Sequence, residues 1–194
     1  MNGARHATNK PEMRSFGLAL LLGLAALGCG GPDANAPGRP LPPYTGHATE
    51  VFDDAIEAAA VGLNLDDLGP SSRTDPQLRE RTQTGDAVVR VKIETVTASD
   101  DTDSIKYTIG LRVVQVLTGD HPPSEQFSVI VNKSSPASGI VKGFDERLGG
   151  KSFVAFVREF QQGDERRVHF HYAPDTKEVI AAVKEAVDLA EYSK

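Results

Sequence analysis

The stretch from Val89 to Val113 does more than any other to limit what this chain can fold into. Val89, Val91, Ile93 and Thr95 alternate with Arg90, Lys92 and Glu94, and after the polar turn Ser99-Asp-Asp-Thr-Asp-Ser104 the pattern returns. Ile105, Tyr107, Ile109, Leu111 and Val113 then alternate with Lys106, Thr108 and Arg112. Successive strand side chains point to opposite faces, so a period of two predicts two half-buried strands joined as a hairpin. Gly110 inside the second strand predicts a bend or bulge.

The flanking segments extend this sheet. Phe127, Val129 and Val131 predict a third strand, and Phe153–Phe160 with Val168–Tyr172 a closing hairpin joined through Gln161–Glu165. Between them, Asn132 to Lys151 reads as a long loop. Val51, Phe52, Ala55, Ile56 and Ala59 share one face at helical spacing, predicting a helix from Glu50 to about Val61, capped by Thr49 and ended by Gly62. Pro76–Arg81 suits one or two helical turns. Asp175 and Glu178 stand at capping-box spacing before the stripe Val179, Ile180, Val183, Val187 and Ala190, which predicts a C-terminal helix. The expected class is α+β: a small antiparallel sheet or OB-like barrel of about five strands, flanked by an N-terminal and a C-terminal helix. Val114–Gly119 and Gly150–Val154 resemble segments of the small netrin/inhibitor-type barrels. That family's paired cysteines are absent here, and its inhibitory activity is not carried over.

The N-terminus has a different character. Arg5, Lys10 and Arg14 precede the apolar run Phe16–Leu27, which leads to Cys29, the single cysteine of 194 residues. A dozen apolar residues are too few to span a bilayer, which takes roughly 20, and the order basic, apolar, small is that of an export signal. A start at Met13 would give that signal compact proportions. Ala26-Leu27-Gly28-Cys29 resembles the lipobox of bacterial lipoprotein precursors, with Ala26 where the family prefers Leu. The resemblance implies cleavage before Cys29, lipid attachment to its sulfur, and a membrane partner held through that lipid. The resemblance also implies that Gly30, in place of Asp, favours the outer membrane over the inner. Residues 1–28 are thus expected to be a signal peptide, 29–46 a lipid anchor and tether, and 47–194 a single α+β domain. The four prolines from Pro37 to Pro43 favour extended polyproline II, at about 3.1 Å per residue, so the tether reaches at most about 50 Å.

Composition narrows the partners. Removing residues 1–28 takes three basic residues and one acid from 21 and 27, leaving 18 against 26 and a formal charge of −8. An acidic chain has no long-range attraction for nucleic acid. With Cys29 lipidated no disulfide is available, and the absence of tryptophan argues against an aromatic sugar-binding platform.

Candidate chemistry is sparse. His169 and His171, two apart in a strand, point to one face and can meet one metal ion, but a stable site needs further ligands from His121, His47 or a carboxylate. The competing reading puts Val168, Phe170 and Tyr172 in the core and both histidines in water. Gly149-Gly150-Lys151-Ser152 has the end of a phosphate-binding loop, but Asp145 stands where its first glycine belongs and a strand follows, so no nucleotide is expected. Ser134, Ser135 and Ser138 form no Gly-x-Ser-x-Gly or Ser-x-x-Lys pattern, since Ser138 to Lys142 is one residue too long. Arg90, Lys92, Lys106 and Arg112 would make a basic patch on the solvent face of the first hairpin. The expectation is a non-catalytic binding or assembly module, without cofactor, contacting an envelope protein through that face or the 132–151 segment. The alternative is a metal-assisted hydrolase using His169 and His171.

Overall fold

The computed structural model describes residues 39–63, 72–101 and 104–192; the expected signal segment, Cys29 and most of the expected tether lie outside the described residues. Alternation produces the expected centre. Strands β2 (Ala87–Asp101) and β3 (Ser104–Thr118), each 15 residues long, pair antiparallel. β3 pairs with β4 (Gln126–Val131), and β2 pairs on its other side with β5 (Ser152–Gln162). β5 turns into β6 (Glu165–Pro174) through Gly163-Asp164, with Gly163 at φ 63°, a left-handed conformation glycine adopts without strain.

The class is α+β, with three differences from expectation. The sheet has six strands in the order β1-β6-β5-β2-β3-β4 and is not closed. It is mixed, because the two-residue β1 (Ala55–Ile56) runs parallel to β6. In place of one helix over Glu50–Val61, the chain forms a four-residue α1 (Ala48–Val51), then β1, then a 3-10 turn at Ala58–Val61. Each short element still buries an apolar residue (Val51, Ile56 and Val61 respectively), so burial survives while the helix does not. Third, Asn132–Lys151 is not a loop throughout: Ala137–Leu148 is helix α3, burying Ala137, Val141 and Leu148.

The helices divide between the two faces. Ala137, Val141 and Leu148 of α3 pack with Val89, Val91, Ile109, Leu111, Phe153 and Tyr172. Leu78 of α2 (Pro76–Thr84) and Val179, Ala182 and Val183 of α4 (Lys177–Tyr192) pack with Val88, Val154, Phe156, Phe160 and Ala173. Because neighbours such as Val88 and Val89 point oppositely, these clusters lie on opposite faces. β5 is therefore covered on both sides, and Phe153–Val157 is buried without a break. Asp75 caps α2, accepting from the Gln77 N–H at 2.9 Å. Thr176 accepts from the Val179 N–H at the start of α4, leaving Asp175 to bind Arg90 through both oxygens at 2.9 and 2.8 Å.

Candidate functional site

Asp54 follows α1 with φ 53°, the one non-glycine residue at positive φ among those described. The left-handed conformation costs an L-residue roughly 1–2 kcal/mol, and aspartate tolerates it because its short side chain can bond locally. Its surroundings account for the strain. The Asp54 N–H donates to the Phe170 carbonyl at 2.9 Å, and its Oδ1 accepts the Phe170 N–H at 3.1 Å. Its carbonyl accepts from the Ala137 N–H at 3.1 Å, tying α3 to the same point. Its Oδ2 lies 2.9 Å from His169 Nδ1. One aspartate thus occupies the outer edge of β6 at Phe170, as a neighbouring strand would.

His169 and His171 do share a face, but that face is not solvent. Their exposures are 6% and 7%, because Tyr44 and the segment after α1, with Asp53, Asp54 and Glu57, fold over them. The Tyr44 ring stacks on His169 with centroids 3.4 Å apart and planes 11° from parallel, and Phe160 meets its edge at 5.7 Å. Tyr44 is held in turn by its hydroxyl, which donates to the Phe52 carbonyl at 2.6 Å. Burial, reinforced by the charges of Asp54 and Asp53, raises the Tyr44 pKa, so the phenol stays a neutral donor. Nε2 of His169 is buried with no hydrogen-bond partner.

His171 has carboxylates at both ring nitrogens: Asp53 Oδ1 at 2.8 Å from Nδ1 and Glu57 Oε1 at 3.2 Å from Nε2. Both contacts are donations only when the ring is an imidazolium. Burial works against the charge and nearby Arg81 adds to that, but the bonds to Asp53 and Glu57 prevail and the pKa is raised. Arg81, itself buried, donates from Nε to the Val51 carbonyl at 2.7 Å and from Nη2 to Gln77. The histidines thus go to different carboxylates, and among the described residues no group of three or more His, Cys, Asp or Glu is arranged to hold a metal ion. The other two proposed ligands are elsewhere: His47 bonds Glu50 and Glu80 at the surface, and His121 is exposed.

Beside this cluster lies a cleft of about 230 Å³, lined by Ser128–Ile130 and Asn132 from β4 and its end, by Arg166–His169 of β6, and by Asp54. It lies between edge strand β4 and the part of β6 that β1 does not reach. Val129 and Val168 belong to the apolar cluster beneath it. Arg166 and Arg167 are each paired, with Glu159 and Glu165.

The remaining sequence candidates have structural roles. The expected basic patch is partly neutralised, since Arg90 pairs with Asp175 and Arg112 with Glu94. Ser135 Oγ accepts the Asn132 N–H and Ser138 Oγ donates to the Lys133 carbonyl, both shaping the turn into α3. Gly149–Lys151 leads from the C-terminus of α3 into β5, the reverse of a phosphate-binding loop. Asp53, Asp54 and Glu57 carry no local sequence signal that marks them as partners of residues over 110 positions later.

No protein-family model matches the sequence, and no curated protein is similar enough to count as a relative. Among the described residues no helix is long and apolar enough to cross a membrane.

Proposed function

We propose that this chain is a membrane-anchored lipoprotein of the cell envelope, attached through Cys29 and favouring the outer membrane. Its folded domain acts as a non-catalytic binding or assembly module for an envelope protein. The observation that carries the binding role is the cleft, an apolar-floored concavity walled by two strand edges. The connectivity supports a finer description as an OB-like barrel left open: β4 and β6 flank the gap, and a helix stands between β4 and β5.

Two experiments test this. Cys29→Ser should move the protein from the membrane fraction to the soluble one and remove acyl mass; a protein that stays membrane-bound and unacylated would overturn the anchor. A photo-crosslinking residue at exposed Ser128 should capture a discrete partner in whole cells, while the same residue at exposed Lys184 on α4 should not. Equal capture at both positions, or none at Ser128, would count against the cleft.

The second reading is a metal-assisted hydrolase using His169 and His171, and it draws on the unpartnered Nε2 of His169. It requires metal retained by the purified protein and lost with His169→Ala.

A further inference from the structure

The pairing pattern determines which main-chain groups face the cleft. In β6, the N–H and C=O of Phe170 point outward to Asp54. Alternation then turns those of Val168 outward as well, away from its β5 neighbour Glu159. The Glu159 N–H agrees, since it donates to Asp86 on the far side of β5. In β4, the Glu125 carbonyl accepts from Val113 on β3, so residues 127, 129 and 131 face β3. Ser128 and Ile130 present their N–H and C=O to the other side. Both sets open on the same cleft.

Direction matters as much. Four antiparallel pairings separate β6 from β4 (through β5, β2 and β3), so β4 and β6 run the same way. A segment antiparallel to one is antiparallel to both, and one inserted strand can bond on both sides. Asp54 ends the pairing of β1 along β6 at Phe170, and its left-handed backbone carries the chain away, leaving the edge at Val168 uncovered by β1.

We infer that the cleft receives an extended peptide segment of a partner protein, inserted antiparallel between β4 and β6. Its main chain bonds Val168 on one side and Ser128 and Ile130 on the other. Strand addition takes affinity from main-chain bonds and specificity from alternate side chains. Here every second side chain of the guest lies over Val129 and Val168, so those positions are apolar. Two-sided pairing distinguishes this from addition to a single exposed edge. The inference rests on the cleft being the contact site.

The test selects binders from a random heptapeptide library on the intact soluble protein carrying Cys29→Ser, then measures affinity and amide exchange. Bound peptide should slow exchange at Ser128, Ile130 and Val168 together. Ile130→Pro deletes one outward N–H; its side chain is exposed and proline is tolerated on an edge. It should weaken binding at least tenfold, whereas Ile130→Thr, which keeps the N–H, should not. The exchange readout on the unmutated sheet stands even where Ile130→Pro disturbs folding. No binders, protection on only one of the two strands, or indifference to Ile130→Pro in a folded variant would overturn the inference. If those results came alongside specific crosslinks at Ser128, the contact site would stand and the peptide class alone would fall.

Discussion

Asp54 accepts from the main-chain N–H of Phe170 with one carboxylate oxygen and meets His169 Nδ1 with the other, so one side chain fixes both the edge of β6 and the orientation of a buried imidazole. Removing it strands two buried donors, each costing about 1–3 kcal/mol. Asp54→Ala should therefore lose roughly 2–6 kcal/mol in urea unfolding. Asp54→Asn should lose less, because asparagine tolerates the left-handed backbone and its amide can donate to the other tautomer of His169. Equal losses for the two variants would show that neither the bonds asparagine keeps nor its tolerance of the left-handed backbone matters at this position.

His171 makes stability depend on pH with a definite sign. Its pKa is raised by folding, so its stabilisation is complete below the unfolded value of about 6.5 and disappears as pH rises through the higher folded value. Unfolding free energies between pH 5.5 and 8.5 should fall more steeply for the native chain than for His171→Asn. Exposed His47 shifts in the same direction but is common to both proteins, so the difference isolates His171. Parallel curves would remove the imidazolium from the cluster.

Phe156 is buried on the face that α4 covers. Phe156→Ala should cost about 3–5 kcal/mol by transfer and cavity terms, whereas exposed Val114→Ala should stay within about 0.5 kcal/mol. Comparable effects in denaturant would mean that the two-layered packing around β5 is wrong.

Gly119 has φ 111°, and a Cβ there would lie 2.3 Å from the Asp86 carbonyl oxygen and 2.4 Å from Ala87 Cα. Both are backbone atoms and cannot swing aside. Gly119→Ala should destabilise by more than about 1 kcal/mol, since the native conformation excludes it. Gly139→Ala, with nothing within 4 Å of the new carbon and a helical position, should be neutral or slightly stabilising. A thermal melt in which the two behave alike would refute the close approach at Gly119.

The parts of the fold legible in sequence were those whose burial is periodic over many residues. Burial in β2 alternates from Val89 to Ile93 and in β3 from Tyr107 to Leu111, and α4 buries Val179 and Val183 of its expected stripe, with Ala182 and Ala186 beside them. α3 was hidden because its first turn follows Ser134-Ser135-Pro136 and it contains Gly139 and Gly143, so turn-forming composition outweighed the spacing of Ala137, Val141 and Leu148. The N-terminal segment failed differently. Apolar residues at 51, 52, 55, 56 and 59 satisfy a helix, but once Asp54 reverses the backbone three short elements bury Val51, Ile56 and Val61 and leave Ala59 exposed. The histidines followed the alternation correctly and still ended in the interior. What buries them, Tyr44 and the segment after α1, lies more than a hundred residues away in sequence and leaves no trace near residue 169.

The hold of the fold on residues 42–44 has a mechanical side. The Gln161 N–H donates to the Pro42 carbonyl, the Tyr44 N–H donates to the Gln161 carbonyl, and the Tyr44 ring lies flat on His169. Tension arriving along the chain from Arg39 reaches these contacts before any bond between the long strands. A tug on the amino-terminal side therefore loosens the lid over the imidazole first, and the sheet beneath keeps its pairing until that lid has lifted.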